Sequence, residues 1–128
     1  LLLVGAFALV GCGEDNVIGP ENEPEVTNNT DSFQWQVTDM TGVTQTLTYT
    51  WANTGTTANV DQSASLTNGT ATLTITDDQG TEVYSRSLTD DGSFQTNAGT
   101  AGDWTVTVDL SEVSGAVNFR LQNPDASP

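Results

Sequence analysis

Carboxylates make up most of the reactive chemistry in this chain. Of its 128 residues, 17 are Asp or Glu, against two cations, Arg86 and Arg120, and it has neither lysine nor histidine. Without histidine there is no Ser-His-Asp triad and no imidazole base. Without lysine there is no Schiff-base nucleophile, and the one thiol, Cys12, cannot build a Cys/His zinc site or an internal disulfide. Paired carboxylates could hydrolyse a glycosidic bond, or hold calcium through about 6–8 oxygens. The obvious pairs, Asp77-Asp78 and Asp90-Asp91, fall in turn sequences, where Asp is favoured for local hydrogen bonding. They bracket one expected strand and so stand at its opposite ends. A calcium site would have to recruit Asp103, Asp109 or Glu112. Turn and surface roles are the stronger expectation, and the chain reads as non-enzymatic, with no catalytic residue, cofactor or metal site.

Two further readings come from composition. Trp35, Trp51 and Trp104 are in phase with aliphatic neighbours, which predicts core positions; Trp51, beside the turn Asn53-Thr54-Gly55, is the one expected nearest the surface. Exposed, such rings would form a sugar-stacking platform, so a calcium- or carbohydrate-binding surface module is the alternative to a plain interaction domain. A net charge of −15 repels nucleic acid and anionic lipid headgroups, which excludes both as direct partners of the folded part. Abundant Asp without lysine resembles proteins from salty habitats, where ions screen self-repulsion.

The elements that must position these residues are strands. Phe33, Trp35 and Val37 alternate with polar residues, as do Leu47, Tyr49 and Trp51, then Ala71, Leu73 and Ile75, then Trp104, Val106, Val108 and Leu110, and last Val117, Phe119 and Leu121; weaker strands are expected over Val60 to Leu66, Thr81 to Leu88 and around Phe94. That period of two marks half-buried strands, with threonine filling the outward positions. Asn68-Gly69 is a hairpin signal, and Asp77-Asp78-Gln79-Gly80, Asp90-Asp91-Gly92 and Ser114-Gly115 read as turns. Adjacent Val83 and Tyr84 must face opposite ways. Val83 is expected inward, with a bulge or strand end letting Leu88 turn in and keeping Arg86 out of the core. About eight strands with one apolar face each imply an all-β, antiparallel two-sheet β-sandwich over residues 33–122, Ig-like or jelly-roll-like. Residues 12–32, with Pro20, Pro24 and scattered acids, read as a flexible acidic tether, and 123–128 as a disordered tail. The segment 99–108, Gly-Thr-Ala-Gly-Asp-Trp-Thr-Val-Thr-Val, resembles the closing strands of small bacterial surface sandwiches, including pre-peptidase C-terminal-like domains. It carries no functional residue.

Ahead of the tether, the uncharged apolar run 1–10 is too short to span a bilayer, which needs about 20 residues. It fits the apolar region of a signal peptide, whose charged leading region is missing from the sequence. The run ends in Leu9-Val10-Gly11-Cys12, which resembles the lipobox of bacterial lipoproteins. The resemblance implies a signal peptide over 1–11, cleavage between Gly11 and Cys12, and a diacylglycerol on the Cys12 thiol. Two acyl chains suffice for stable anchoring. Gly13 at the position that sorts such proteins implies the outer membrane or cell surface rather than the inner membrane, and Glu14-Asp15 resemble acidic surface-export tags. The expectation is a lipid-anchored envelope protein whose sandwich meets an envelope protein or glycan.

Overall fold

The computed structural model describes residues 23–125. Cys12, the stretch 1–11 and most of the expected tether lie outside the described residues, as do residues 126–128. Six strands run β1 (Glu25–Asn29), β2 (Ser32–Asn53), β3 (Asn59–Thr76), β4 (Glu82–Ser87), β5 (Gly92–Gln95) and β6 (Gly102–Gln122). They form one antiparallel sheet in the order β1-β2-β6-β3-β4, with β5 also on β3. Among the described residues there is no helix, and so none long and apolar enough to cross a membrane.

Three of the strands are far longer than the alternation indicated. The expected strands at Phe33–Trp35–Val37 and Leu47–Tyr49–Trp51 are two arms of β2, and β3 and β6 likewise each absorb two expected strands. Those three mergers leave five of the eight expected strands, and β1, in the stretch that reads as tether, makes six. Asn68-Gly69 is not a hairpin: β3 passes through it as an irregularity while still pairing with β6, and β6 passes through Ser114-Gly115 in the same way.

These irregularities fall on one line across the sheet. The β2–β6 register shifts between Val37 and Gln45, and the β3–β6 register shifts between Leu66 and Thr70. Left-handed backbone is found at the same level on every long strand: Asp39 and Gly42 on β2, Gly69 (φ 86°) on β3, and Glu112 and Gly115 (φ 130°) on β6. Such conformations cost L-residues with a Cβ, and bulges use them to bend a strand. A Cβ at Gly69 would run into the backbone carbonyls of Ser111 and Glu112, and one at Gly115 into that of Ser65. The crease is tied by Gly42 N–H to Ser114 Oγ at 3.0 Å and Glu112 N–H to Thr44 Oγ1 at 3.0 Å.

The crease folds each long strand over on itself. Phe33 and Tyr49 would lie about 50 Å apart on a straight strand. Their ring centroids are 5.4 Å apart, and the Trp35 indole N–H donates to the Tyr49 hydroxyl at 2.8 Å. The concave side carries the core: all three tryptophans, Phe33, Phe119, Leu73, Ile75, Leu88 and Leu121 are fully buried. Trp51 is as buried as the others, which corrects its expected approach to the surface. Its ring meets Trp104 edge-on at 6.0 Å, and its N–H donates to the Asn29 carbonyl at 3.0 Å.

Val83 and Tyr84 are both buried, because the β3–β4 register slips between Ile75 and Thr76. Leu88 turns in beyond the end of β4, and its N–H reaches the Ala71 carbonyl. Arg86 stays outside, as expected, its guanidinium 4.0 Å above the Phe94 ring and 3.5 Å from Asp90.

The folded region also begins before residue 33 and runs past 122. β1 pairs with 32–36 of β2 although the sequence there reads as tether. Asp31 accepts from the Thr54 N–H at 2.7 Å and the Thr54 hydroxyl at 2.8 Å. The buried Asn123 donates to Thr54 Oγ1 at 3.2 Å.

Candidate functional site

Asp77 and Asp78 follow β3 and open the turn to β4, and their carboxylates are already in use. Asp77 accepts three backbone N–H groups, from Thr100 and Thr81 at 2.8 Å and from Gln79 at 3.0 Å. The Thr100 and Thr81 bonds hold its pKa below the ordinary value against the opposing effect of burial. Asp78 Oδ1 accepts the Asp103 N–H at 3.1 Å. The pair therefore pins the loop before β6, and the first residues of β6, to the turn that follows β3.

The second pair sits elsewhere. Asp91 accepts the Ala64 N–H at 3.0 Å, and Asp90 meets Arg86. Asp109 accepts the Thr46 hydroxyl at 2.6 Å, and Glu112 lies at the crease. Among the described residues no three Asp, Glu, His or Cys side chains converge on a point that could hold a metal.

The tryptophans lie in the core, as their phase with aliphatic neighbours predicts, and Trp35, Trp51 and Trp104 expose nothing to a sugar ring. Each indole N–H is also committed, that of Trp104 to the Thr100 carbonyl at 2.7 Å. A different polar feature, which sequence reasoning missed, lies on the outer side of the sheet beside the crease. Gln36, Asn118 and Ser63 are register partners across β2, β6 and β3, and with Ser65 and Ala116 they line a depression of about 190 Å³. Its lining carries amides and hydroxyls but no charge. Ligand pockets usually run to about 300 Å³ or more, so it could hold only a small polar group.

Gln62 is a second polar feature without a signal in the sequence. It is a polar residue at an inward position of β3, 4% exposed. Its amide nitrogen donates to the Ser87 and Asp90 carbonyls at 2.7 and 2.9 Å, and its oxygen accepts the Tyr84 hydroxyl at 2.7 Å. Burial pushes the Tyr84 phenol up to about 12, with Asp90 adding to the rise and Arg86 opposing it. All these atoms are satisfied, so the group acts as a buried polar brace between β3 and the end of β4.

No protein-family profile and no curated protein matches the sequence. Among solved structures the chain is similar to a chain in the "Crystal structure of accessory secretory protein 1,2 and 3 in Streptococcus pneumoniae". The two are 11% identical with a TM-score of 0.37, over 77% of this chain and 84% of that one.

Proposed function

We propose that this protein is a lipid-anchored, non-enzymatic component of a bacterial cell envelope. Its creased sheet, read as a two-layer β-sandwich, is an interaction or structural module held at the outer membrane or cell surface. The observation that carries the anchor is Leu9-Val10-Gly11-Cys12 at the end of an uncharged apolar run. The module reading is supported by the fate of the reactive groups, since the paired acids brace turns and the tryptophans fill the core.

The test is metabolic labelling of cells making the full chain with an alkynyl fatty acid. The wild type should carry the label and fractionate with membranes, and Cys12→Ser should lose both properties. An unlabelled wild type recovered in the soluble fraction would sink the anchor.

The depression lined by Gln36, Ser63 and Asn118 favours a second reading, a weak glycan contact, because uncharged amides and hydroxyls suit sugar hydroxyls. Retention on envelope polysaccharide that is lost in Asn118→Ala would support it.

A further inference from the structure

An open strand edge presents unpaired N–H and C=O groups, and proteins protect such edges with short length, charge or proline. Three of the edges here are protected in that way. β4 is six residues long and carries Glu82 and Arg86, β5 has four residues, and β1 has five with Pro24 and Glu25 at its start.

The fourth edge is the second arm of β2. It pairs with β6 on one side, and no strand among the described residues pairs with the other. Its residues 45–50, Gln-Thr-Leu-Thr-Tyr-Thr, contain no charge, proline or glycine.

Neighbouring hydrogen bonds show which backbone groups face outward. The Thr50 carbonyl accepts the Asn28 side-chain amide at 2.9 Å, and the Ala52 carbonyl accepts the Asp31 N–H at 2.8 Å. The register is unbroken from Gln45 to Asn53. Outward groups alternate along a strand, so the N–H and C=O of Thr46 and Thr48 face the open side too.

The same bonds place β1 above this edge, with Asn28 at Thr50 and Asp31 at Ala52. That progression brings Val26 to about the level of Thr48. Val26 is the register partner of buried Trp35, so it faces the concave side, yet it is 38% exposed. Leu47 and Tyr49 are only partly buried below it.

We propose that residues 45–49 of β2 form a strand-addition site for an extended, basic segment of a partner protein. This rests on reading the domain as an interaction module. Main-chain bonds to Thr46 and Thr48 would supply affinity. Side chains of the added strand in register with Leu47 and Tyr49 would turn to the concave side and meet Val26, so apolar residues belong there. The alternate side chains would turn to the outer side, where Asp109 lies beside Thr46, so lysine or arginine belongs there. The net charge of −15, with both arginines already against Asp90 and Asp61, selects a basic partner over a second copy of this chain.

The test uses the full chain and two fluorescein-labelled peptides, one alternating valine with lysine and the other valine with glutamate. Amide exchange at Thr46 and Thr48 should be unprotected in the chain alone and become protected with the lysine peptide. The glutamate peptide should not bind. Thr48→Pro should weaken the lysine peptide about tenfold or more, while leaving the melting temperature unchanged, because the lost N–H faces away from β6. Equal binding of both peptides, binding unaffected by Thr48→Pro, or no binding to an exchanging edge would overturn the site. Protection in the chain alone would overturn it as well. If that protection grows with protein concentration the occupant is a second copy, and if not the chain closes its own edge. The fatty-acid label reads Cys12 alone, so the anchor and the edge fail independently.

Discussion

Asp77 shows how a single acidic residue can look catalytic in sequence and be structural in the fold. Asp77 is 5% exposed, and its carboxylate gathers three backbone N–H groups from two segments. Charge on it strengthens all three bonds, which is why its pKa falls. A lowered folded-state pKa stabilises the protein above the ordinary carboxylate range and loses that contribution as pH falls through the folded value. Asp77→Asn puts an NH2 group against an N–H donor, so it should melt several degrees below the wild type at neutral pH. The gap should narrow as pH drops below about 4, where the wild-type carboxyl also protonates. A gap that stays constant with pH would show that charge is not what holds the loop. Asp31 adds in the same direction: burial pushes its carboxyl up, but the Thr54 N–H, the Thr54 hydroxyl and Asn123 together bring it down. Neither role could be read from sequence, because the donors on Thr100 and Thr54 are 23 residues away in each case.

At the scale of elements, the crease decides the fold and rests on glycines. Gly69→Ala should destabilise by more than the roughly 1 kcal/mol of an ordinary left-handed strain, because its Cβ would also collide with the carbonyls of β6. A urea midpoint unchanged from wild type would mean the crease is not formed there. The inward faces were legible in the chain: Trp104, Val106, Val108 and Leu110 alternate as written and are all buried. Strand length was not legible. Asn68-Gly69 and Ser114-Gly115 satisfy a tight turn and a bulge equally well, since both need a residue at positive φ. β1 left no trace because all five of its residues are exposed and no alternation exists to read. Gln62 gives no signal because its partners, the Ser87 and Asp90 carbonyls and the Tyr84 hydroxyl, are more than 20 residues away, and the open edge of β2 gives none because an edge is defined by the neighbours it lacks.

For the whole molecule, charge and topology set the behaviour. A net charge of −15 spread over 128 residues, with only two cations, makes self-repulsion a standing cost of compactness. Raising monovalent salt should therefore raise the melting temperature, and a flat response up to molar salt would show that the acids are individually compensated. Topology sets the order in which the molecule can form. β2 and β3 do not pair with each other; both pair along nearly their whole length with β6, the last of the described strands. A nascent chain emerging from its N-terminal end can make only the β1–β2 hairpin and the β3–β4 and β3–β5 ladders, each an isolated fragment with one greasy face exposed. The seam that joins them arrives last, and its long-range pairings are slow to close. A chain threaded through a translocation pore N-terminus first would hold only such separate fragments, without a joined core, until β6 had passed through.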